Sequence, residues 1–330
     1  MAILYLVEQG SLLRKELRRF VVEKEGNILL EIPEFKVERV VIVGNVHLTT
    51  PAIKFLLQSQ IETSFLSARG KLIGKLSPIE SKNIKLRFLQ YERYKDDKFR
   101  LSFSKSIIKA KIKNSKVLLQ KYQRNHPEAN FENYVKELDD LLRELERKQN
   151  VSSIFGLEGR ASAAYFSCYG KMFRKDLQFQ SRSKNPPRDP VNSLLSLGYS
   201  LITNEVLSAL SSLGFDPYIG YLHGIEYGRP SLALDLVEEF RAPIIDRLTL
   251  ELVNKSILSL EDFEQRDEGS FLKDQSRKKY FFHYEKRMQD TFQISANKTI
   301  ANYRKFFLLQ AQKFVRVITA KSEYEPFTIK

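Results

Sequence analysis

The sequence predicts an α+β protein with a β-rich, sandwich-like N-terminal domain over residues 1–82 and a larger all-α domain over residues 83–330. Two observations predict this division. Short apolar runs separated by turn residues fill the chain up to Pro78, and long stretches with helical periodicity follow it. A chain of 330 residues with 42% hydrophobic content has the size and composition for two domains with cores of their own.

The N-terminal domain is predicted to contain short strands and one helix. The helix is expected because Thr50 can cap it, Pro51 suits its first turn, and apolar residues then repeat at helical spacing up to Ile61. The strands are separated by turn residues and are expected at Ile3–Val7, Phe20–Glu23, Asn27–Ile32, Val37–Val43 and Ser64–Leu66.

The second domain is predicted to be helical because its apolar residues recur every three or four positions. A proline-rich loop over residues 178–190 interrupts this pattern and carries the basic residues Arg182, Lys184 and Arg188. The predicted helices are Lys85–Arg124, Asn130–Lys148, Val151–Phe173, Pro190–Leu213, Leu232–Leu248 and Thr299–Ala320.

The charge of the chain points to a polyanionic partner. The formal net charge is +14, from 54 Lys and Arg against 40 Asp and Glu, and nucleic acid is the leading candidate. From Ser81 to Arg124, fourteen basic residues stand against three acidic ones, and the interleaved aromatic residues include Tyr91, Tyr94, Phe99, Phe103 and Tyr122. Phosphate contacts and base stacking would use that mixture. The alternative is a solvated basic helix face whose aromatic residues lie in the core.

Several other classes of protein are disfavoured by the sequence. Cys168 is the only cysteine, which excludes an intrachain disulfide and a Cys-rich zinc site. The start of the chain lacks the basic region of a signal peptide, and no segment has the ~18 apolar residues needed to cross a bilayer. We therefore expect a cytoplasmic protein with no membrane insertion. Phosphate-binding loops, dinucleotide-binding glycine motifs and nucleophilic serine motifs are absent from the sequence.

The stretch from Tyr221 to Arg241 carries the strongest chemical signal. His223 lies in a Gly- and Pro-rich turn directly before a helix that Ser231 is expected to cap. Asp235 and Glu238 are three residues apart in that helix, which would place both carboxylates on one face near His223. A hard divalent cation would suit such a cluster.

Glu158 is a second unusual acid because small residues surround it. Gly156, Gly159 and the Ala-rich stretch that follows would let the helix pack closely and carry Glu158 into the interior. A buried carboxylate is costly unless it is protonated, paired with a base or bound to a metal. We therefore expect a positive charge beside it.

Convergence of Glu158, His223 and Glu238 would give two oxygen ligands and one imidazole, a set that suits Mn²⁺ or Mg²⁺. Asp235 would be an additional ligand or would support one. Such a site, with the basic surface, would allow metal-assisted attack on a phosphodiester by water or by a 3′-hydroxyl. In the structural alternatives His223 only packs, and the acids form ion pairs: Glu158 with Arg160 or another base, Glu238 with Arg241, and Asp235 with Arg229.

Four segments carry a family resemblance: GLEGRASAAYF around Glu158, DPVNSLLSLGYSLITNEV from Asp189 to Val206, GFDPYIGYLHGIEYGRPSLALDLVEEFRAPIIDRL from Gly214 to Leu248 and, more loosely, YEKR at Tyr284–Arg287. Together they resemble the CRISPR-associated Cas1 family of endonucleases and integrases, which insert new spacers into CRISPR arrays. The resemblance spans nearly the whole chain.

The resemblance implies a set of metal ligands for Mn²⁺ or Mg²⁺. These fall on Glu158, His223 and Glu238, and Asp235 matches a further acid that is important to activity. Which of Asp235 and Glu238 is the direct ligand stays open. Arg182, Lys184 and Arg188, with the Lys85–Arg124 run, are the expected DNA contacts.

The resemblance also implies an activity and partners. The expected reaction is 3′-hydroxyl transesterification that inserts a captured double-stranded DNA fragment at a CRISPR repeat. The expected assembly is a homodimer in complex with the small Cas2 protein, with the N-terminal domain in dimer or partner contacts. Two alternatives remain at this point. One is a non-catalytic nucleic-acid-binding scaffold with structural acids, and the other is a ribonuclease or structure-selective nuclease that uses the same site.

Overall fold

The computed structural model describes residues 2–67, 70, 72–78, 83–174, 177–184, 186–267, 269–293, 300–320 and 322–329. The chain divides into two compact units, one of residues 1–80 with 272–281 and one of residues 81–271 with 282–330. The predicted domain boundary at residues 82 and 83 adjoins residues 79–82, which lie outside the described part of the chain.

The first unit is strand-rich, as predicted. Its strands are β1 Ala2–Leu6, β2 Leu12–Glu16, β3 Arg19–Lys24, β4 Asn27–Pro33, β5 Val37–Val43, β6 His47–Leu48, β7 Glu62–Leu66 and β8 Leu72–Leu76, and its helix is α1 Thr50–Gln58. They form two four-stranded sheets, in the orders β1-β5-β7-β8 and β4-β3-β2-β6. Strands β1, β5 and β7 run parallel, whereas β2, β3 and β4 run antiparallel.

Both sheets and α1 contribute to one apolar core, which accounts for the short apolar runs in this part of the sequence. The core includes Leu4, Leu13, Phe20, Val40, Ile42 and Leu56. Strands β2, β6 and β8 were not predicted. The predicted cap of α1 was wrong by one residue, because Thr49 accepts the bond from Ala52 N, at 3.3 Å, and Thr50 begins the helix.

The second unit is mainly helical. Its helices are α2 Ile84–Lys95, α3 Asp97–Asn125, α4 Glu132–Glu146, α5 Val151–Gly170, α6 Pro190–Leu213, α7 Ser231–Val237, α8 Arg247–Asn254, α9 Asp274–Gln289, which begins in the first unit, and α10 Tyr303–Ala320. Two short two-stranded ribbons accompany them, formed by β9 Phe263–Arg266 with β10 Gly269–Leu272 and by β11 Thr291–Gln293 with β12 Ile300–Asn302. The predicted helix start at Thr299 lies outside the described residues. None of the described helices is both long and apolar enough to span a membrane.

Two predicted helices are each broken by a local signal. The run Lys85–Arg124 divides at Asp96, whose carboxylate accepts from Lys98 N and Phe99 N, both at 3.1 Å, and so starts a new helix. The run Leu232–Leu248 divides after α7, and a π-helical turn over Arg241–Asp246 follows. Pro243 lies inside that turn and has no N–H to continue an α-helix, which accounts for the wider turn.

Two aromatic residues of the basic run, Phe99 and Phe103, pack against the core, whereas Phe88 and Tyr91 are exposed. Phe103 is buried, with its ring centroid 5.5 Å from that of Tyr221 and 5.0 Å from that of Phe314. Phe99 lies 5.1 Å from Tyr221 in an edge-on contact. The structural alternative for these two aromatic residues is therefore the one observed, and helix α3 runs through the core of the unit.

The C-terminal residues are held against α3 by one buried amide. Asn114 donates from Nδ2 to the carbonyl oxygens of Glu239, at 2.7 Å, and Phe327, at 2.9 Å. Its Oδ1 accepts from Ile329 N at 2.9 Å. The Glu239 carboxylate accepts from the Tyr324 hydroxyl at 2.8 Å. The tail thus completes the core next to α3 and the end of α7.

Replacing Asn114 by Ala should lower the free energy of unfolding by about 2–3 kcal/mol, because it leaves buried backbone groups without partners. Urea denaturation measures this loss. Lys113→Ala, at the next and exposed position of α3, is the control and should change stability by less than about 0.5 kcal/mol. Equal losses in the two variants would contradict the anchoring role.

Candidate active site

Asp235, fully buried in α7, organises the loop that precedes the helix. Its Oδ2 accepts from Tyr221 N at 2.6 Å and Leu222 N at 3.0 Å, and its Oδ1 accepts from His223 N at 3.0 Å. The loop can approach the start of α7 because residue 220 is Gly, since a Cβ there would lie 2.6 Å from the Cβ of Ser231. Ser231 begins α7 and does not cap it, contrary to the sequence prediction, and Pro230 occupies the cap position.

The same carboxylate fixes the imidazole of His223. Asp235 Oδ1 lies 2.6 Å from His223 Nδ1. A carboxylate can only accept a hydrogen bond, so Nδ1 carries the proton and a neutral ring keeps its lone pair on Nε2. Carboxylates hold metal-binding histidines in this way in many proteins. Asp235 therefore acts through His223 and the backbone in this arrangement.

Glu158 on α5 and Glu238, at the end of α7, meet at the ammonium group of Lys111 on α3. Lys111 Nζ contacts Glu158 Oε1 and lies 2.7 Å from Glu238 Oε2. Arg241 Nη2 holds the other oxygen of Glu238 at 2.9 Å. Ser162, one turn along α5, donates to Glu158 Oε1 at 2.8 Å. Three helices thus place two carboxylates around one positive charge.

These contacts keep both acids ionised. Burial opposes ionisation of Glu238, but the charges of Arg241 and Lys111 outweigh it and lower its pKa to about 2. Burial also opposes ionisation of Glu158, yet the Lys111 ammonium lowers its pKa below the usual range. The pKa of Lys111 is raised, because Glu238 and Glu158 together outweigh its own burial. The site is a cluster of full charges that is closed around Glu238 and partly open at Glu158.

The His223 ring contacts Phe155, which lies on the same helix as Glu158. The two ring centroids are 5.8 Å apart in an edge-on contact, and Phe155 precedes Glu158 by one turn of α5. Within the described ranges, however, no three His, Cys, Asp or Glu residues are gathered closely enough to form a metal-binding group. The structure joins Glu158 to Glu238, and His223 to Asp235. The full ligand set stays a prediction.

A polar network lies directly behind the carboxylates. Asp246, at the end of the π-helical turn, accepts from the hydroxyls of Tyr199 at 2.5 Å and Tyr165 at 2.7 Å. The Arg241 guanidinium lies over the Tyr199 ring at 4.6 Å. A cavity of about 30 Å³, with room for a water molecule, is lined by Lys111, Glu158, Ser162, Tyr165, Tyr199, Arg241, Asp246 and neighbouring apolar groups. The network sets the position of Arg241 and, through it, of Glu238.

Two of the three predicted structural ion pairs are present. Glu158 pairs with a base other than Arg160, and Glu238 pairs with Arg241, as those alternatives expected. Arg160 pairs with Glu144 at 2.6 Å, and Glu158 pairs with Lys111 instead. Arg229 contacts Glu226 instead of Asp235. The expected positive charge beside Glu158 is therefore Lys111, which is distant in sequence.

The expectation that the glycines beside Glu158 allow close helix packing was wrong. Gly156 and Gly159 are exposed, and a Cβ at either position would meet no atom within 4 Å. Glu158 itself is only half-buried, with 25% of its side chain exposed. This face of α5 is open, and the buried contacts of the helix lie on its other side.

The three basic loop residues have different surroundings. Arg182 donates to Asn192 Oδ1 at 2.7 Å and Ser196 Oγ at 3.0 Å, so its guanidinium is held inside the molecule. Lys184 is exposed, yet partial burial of its ammonium group and then the charge of the Arg241 guanidinium lower its pKa. Arg188 is exposed. Their contacts with DNA remain predictions.

Two charged residues of the site, Lys111 and Asp246, were not predicted as site residues. Lys111 was hidden in the basic run, where each Lys alone suits a solvated face. A signal existed in the neighbouring residues. Ile107 and Ile108, one turn before Lys111, and the adjacent Ile112 are apolar, so Lys111 borders the apolar face of the helix, where a Lys needs a partner of opposite charge. Asp246 gave no signal beyond its apolar surroundings.

Replacing Asp235 by Asn should lower the free energy of unfolding by about 2–3 kcal/mol, because the new amide N–H₂ must face the backbone N–H groups or the His223 ring. Urea denaturation in EDTA measures the loss, and ¹⁵N chemical shifts of the His223 ring should show loss of the Nδ1–H form. Glu226→Gln, an exposed acid in the same loop, is the control. An unchanged ring tautomer in Asp235→Asn would contradict the orienting role.

Comparison with known proteins places this chain in a family. A family model described as CRISPR associated protein Cas1 matches residues 4–286. The CRISPR-associated endonuclease Cas1 3 of Thermus thermophilus is 35% identical over 331 residues, covering 99% of this chain and 97% of its own. A Cas4 exonuclease/Cas1 endonuclease fusion of Geobacter sulfurreducens is 31% identical, covering 96% of this chain and 58% of the fusion.

Solved structures show the same fold. A casposase bound to its integration product has a TM-score of 0.88 at 26% identity, covering 99% of this chain and 93% of the casposase chain. A Cas1 protein from Thermotoga maritima has a TM-score of 0.82 at 25% identity, with both chains fully covered. A chain of a Cas6-RT-Cas1–Cas2 complex has the same fold, with a TM-score of 0.85 at 23% identity. The alignment covers 100% of this chain and 36% of the chain in the complex. By its sequence match and by relatives that align along almost its whole length, the chain belongs to the CRISPR-associated Cas1 family.

Proposed function

We propose that this chain is a divalent-metal-dependent DNA endonuclease and integrase that inserts captured DNA fragments into a CRISPR array. The observation that carries the proposal is the convergence of Glu158 and Glu238 on one cation position beside an oriented histidine. Relatives named as endonucleases and a casposase with the same fold support it. The proposed reaction is attack of a DNA 3′-hydroxyl on a phosphodiester of the CRISPR repeat.

The donor groups of the site fit Mn²⁺ or Mg²⁺. Glu238 Oε2 is buried beside Lys111 and makes no well-directed hydrogen bond, so it has acceptor capacity to spare. Glu158 and His223 Nε2 would supply a second oxygen and a nitrogen. Asp235 is the weaker candidate for direct ligation, because its oxygens already accept three backbone N–H bonds and the imidazole. When bound, the ion would polarise the phosphoryl oxygen and favour ionisation of the attacking hydroxyl.

The protein's own cations have a separate task in this proposal. Lys111 and Arg241 neutralise the two carboxylates, and a divalent ion that uses the same oxygens must displace the Lys111 ammonium. The displaced ammonium would then be available to the oxygens of the phosphodiester. Lys184 at the edge of the site and the net charge of +14 would hold the flanking duplex.

The proposal includes a homodimer and assembly with the small Cas2 protein. One protein with the same fold was solved as a Cas6-RT-Cas1–Cas2 complex, which supports this assembly by likeness of fold. Double-stranded DNA, as fragment and as repeat, is the proposed substrate. The casposase, solved with its integration product, supports an integration reaction on the same scaffold.

A non-catalytic DNA-binding scaffold is the second candidate. The observation that favours it is that Lys111 and Arg241 already neutralise Glu158 and Glu238, so the charges of the cluster balance without a metal. Both candidates predict DNA binding that weakens with salt. They differ in their response to divalent ions, because the scaffold would neither break strands nor gain thermal stability with Mn²⁺.

Replacing Glu158 or Glu238 by Gln, or His223 by Ala, should lower Mn²⁺-dependent strand cleavage and joining more than the roughly 10- to 100-fold typical of outer-shell changes at metal sites. The assay uses a labelled DNA fragment and a repeat-containing duplex. Glu144→Gln removes an exposed carboxylate elsewhere and is the control. Activity retained by Glu158→Gln or His223→Ala, with the protein folded, would refute the proposal.

Replacing Lys111 by Met should reveal the competition between ammonium and metal. In EDTA the variant should lose about 3–5 kcal/mol of unfolding free energy, because two carboxylates then lack their shared counter-charge. Saturating Mn²⁺ should raise its melting temperature more than that of the unmodified chain, because the ion no longer displaces an ammonium. Lys113→Met is the matched control. If Mn²⁺ raised the melting temperatures of Lys111→Met and of the unmodified chain equally, Lys111 and the metal would not share the carboxylates.

A further inference from the structure

The turn between His223 and α7 presents apolar side chains to solvent. Tyr227 is fully exposed, and Ile225 is 60% exposed. Gly224 and Gly228 enclose these residues, with φ values of +67° and +71°, which few other residue types adopt. The sequence therefore builds a sharp turn with two bulky apolar groups at its tip.

The base of this turn is tied firmly to the candidate site. The Arg229 guanidinium donates to the carbonyl oxygen of His223 and, through Nε, to Ser231 Oγ at 3.1 Å. Arg229 N donates to Glu226 O at 3.1 Å. The backbone N–H of His223 is held by Asp235. The tip is thus fixed a few residues from a proposed metal ligand, and ordering it on binding would cost little conformational entropy.

Single exposed apolar residues are common on proteins and need no ligand. The turn differs because two such residues lie within three positions of each other, on a base tied to the His223 main chain. Phe155, 38% exposed, contacts the His223 ring edge-on. Apolar groups that reach solvent therefore lie both against the imidazole and on the turn that follows it in the chain.

We infer that the tip residues Tyr227 and Ile225 form a stacking surface for an unpaired DNA base beside the scissile phosphodiester. The inference rests on the proposed function, which brings a DNA strand to His223. Bases expose flat apolar faces when they leave the duplex, and aromatic side chains stack on them irrespective of sequence. The nearby cations Lys111 and Lys184 suit the phosphates on either side of that base. The turn would hold the strand end in place while the carboxylates act.

The test measures DNA binding without chemistry. The full chain carrying Glu158→Gln is titrated, in EDTA, with two DNAs of equal length. One is a duplex with a three-nucleotide single-stranded end containing 2-aminopurine, and the other is fully paired. Tyr227→Ala and Ile225→Ala are added to this background, with Tyr227→Phe as the conservative variant. Phe282→Ala, an exposed aromatic residue on α9, is the control.

Tyr227→Ala should weaken binding of the single-stranded end roughly 5- to 100-fold, as stacking contacts do, and should relieve the quenching of 2-aminopurine. Binding of the paired duplex should change less than about 2-fold. The slope of log affinity against log salt should stay constant, because no charge is removed. Tyr227→Phe and Phe282→Ala should behave like the parent, and Ile225→Ala should show a smaller selective loss.

Equal losses on both DNAs, or no loss in Tyr227→Ala and Ile225→Ala, would overturn the inference and assign the tip to another contact. This readout is independent of the proposed catalysis. If Glu158→Gln retains strand cleavage in Mn²⁺, the proposed function fails while the binding measurement still decides the role of the turn. If the selective loss is absent but Glu158→Gln is inactive, the inference alone fails.

Discussion

The ammonium group of Lys111 is the contact on which the candidate site depends. Two carboxylates from separate helices, Glu158 and Glu238, face each other in a poorly hydrated place, and their mutual repulsion would push the helices apart. One charge between them reverses the sign of the interaction. Because Lys111 lies on α3, which runs through the core, the spacing of the acids is set by the packing of the whole unit. A cation is therefore part of the geometry of this site.

The acids around the end of α7 show how adjacent side chains acquire different chemistry. Asp235 accepts backbone N–H groups and orients His223, whereas Glu238 faces Lys111 and Arg241. Glu239, the next residue, points to the C-terminal tail, where burial raises its pKa to about 7. The π-helical turn that follows places Arg241 against Glu238. Helical spacing alone placed Asp235 and Glu238 on one face, but their partners come from different segments and separate their roles.

The sequence predicted the bounds of an element correctly where residues at its two ends determine where it starts and stops. Helix α6 has the predicted bounds, because Asp189 caps it and Gly214, with a φ of +96°, ends it. The strands β2, β6 and β8 were missed, because β6 has only two residues and the apolar runs of β2 and β8 are cut short by charged residues or Gly74. The candidate acids and His223 could be named from motifs, but Lys111 could not, because a Lys in a basic run is recognised as a buried partner only when the opposing carboxylates are seen. Site residues separated along the chain are fixed by packing, which spacing does not reveal.

The burial pattern around the carboxylates decides the side from which a substrate can approach. Helix α3 and the tyrosine network close one side, and Glu238 is 4% exposed. On the other side, the α5 face with Gly156 and Gly159 is open, and Glu158 is only half-buried. In the proposed reaction a phosphodiester would be too large and too polar to enter through the closed side, so it would have to arrive across the α5 face. That face also carries Phe155, which contacts the His223 ring. A strand lying there would have the proposed ligands Glu158 and His223 on one side of it, an arrangement that positions a phosphodiester before it reacts.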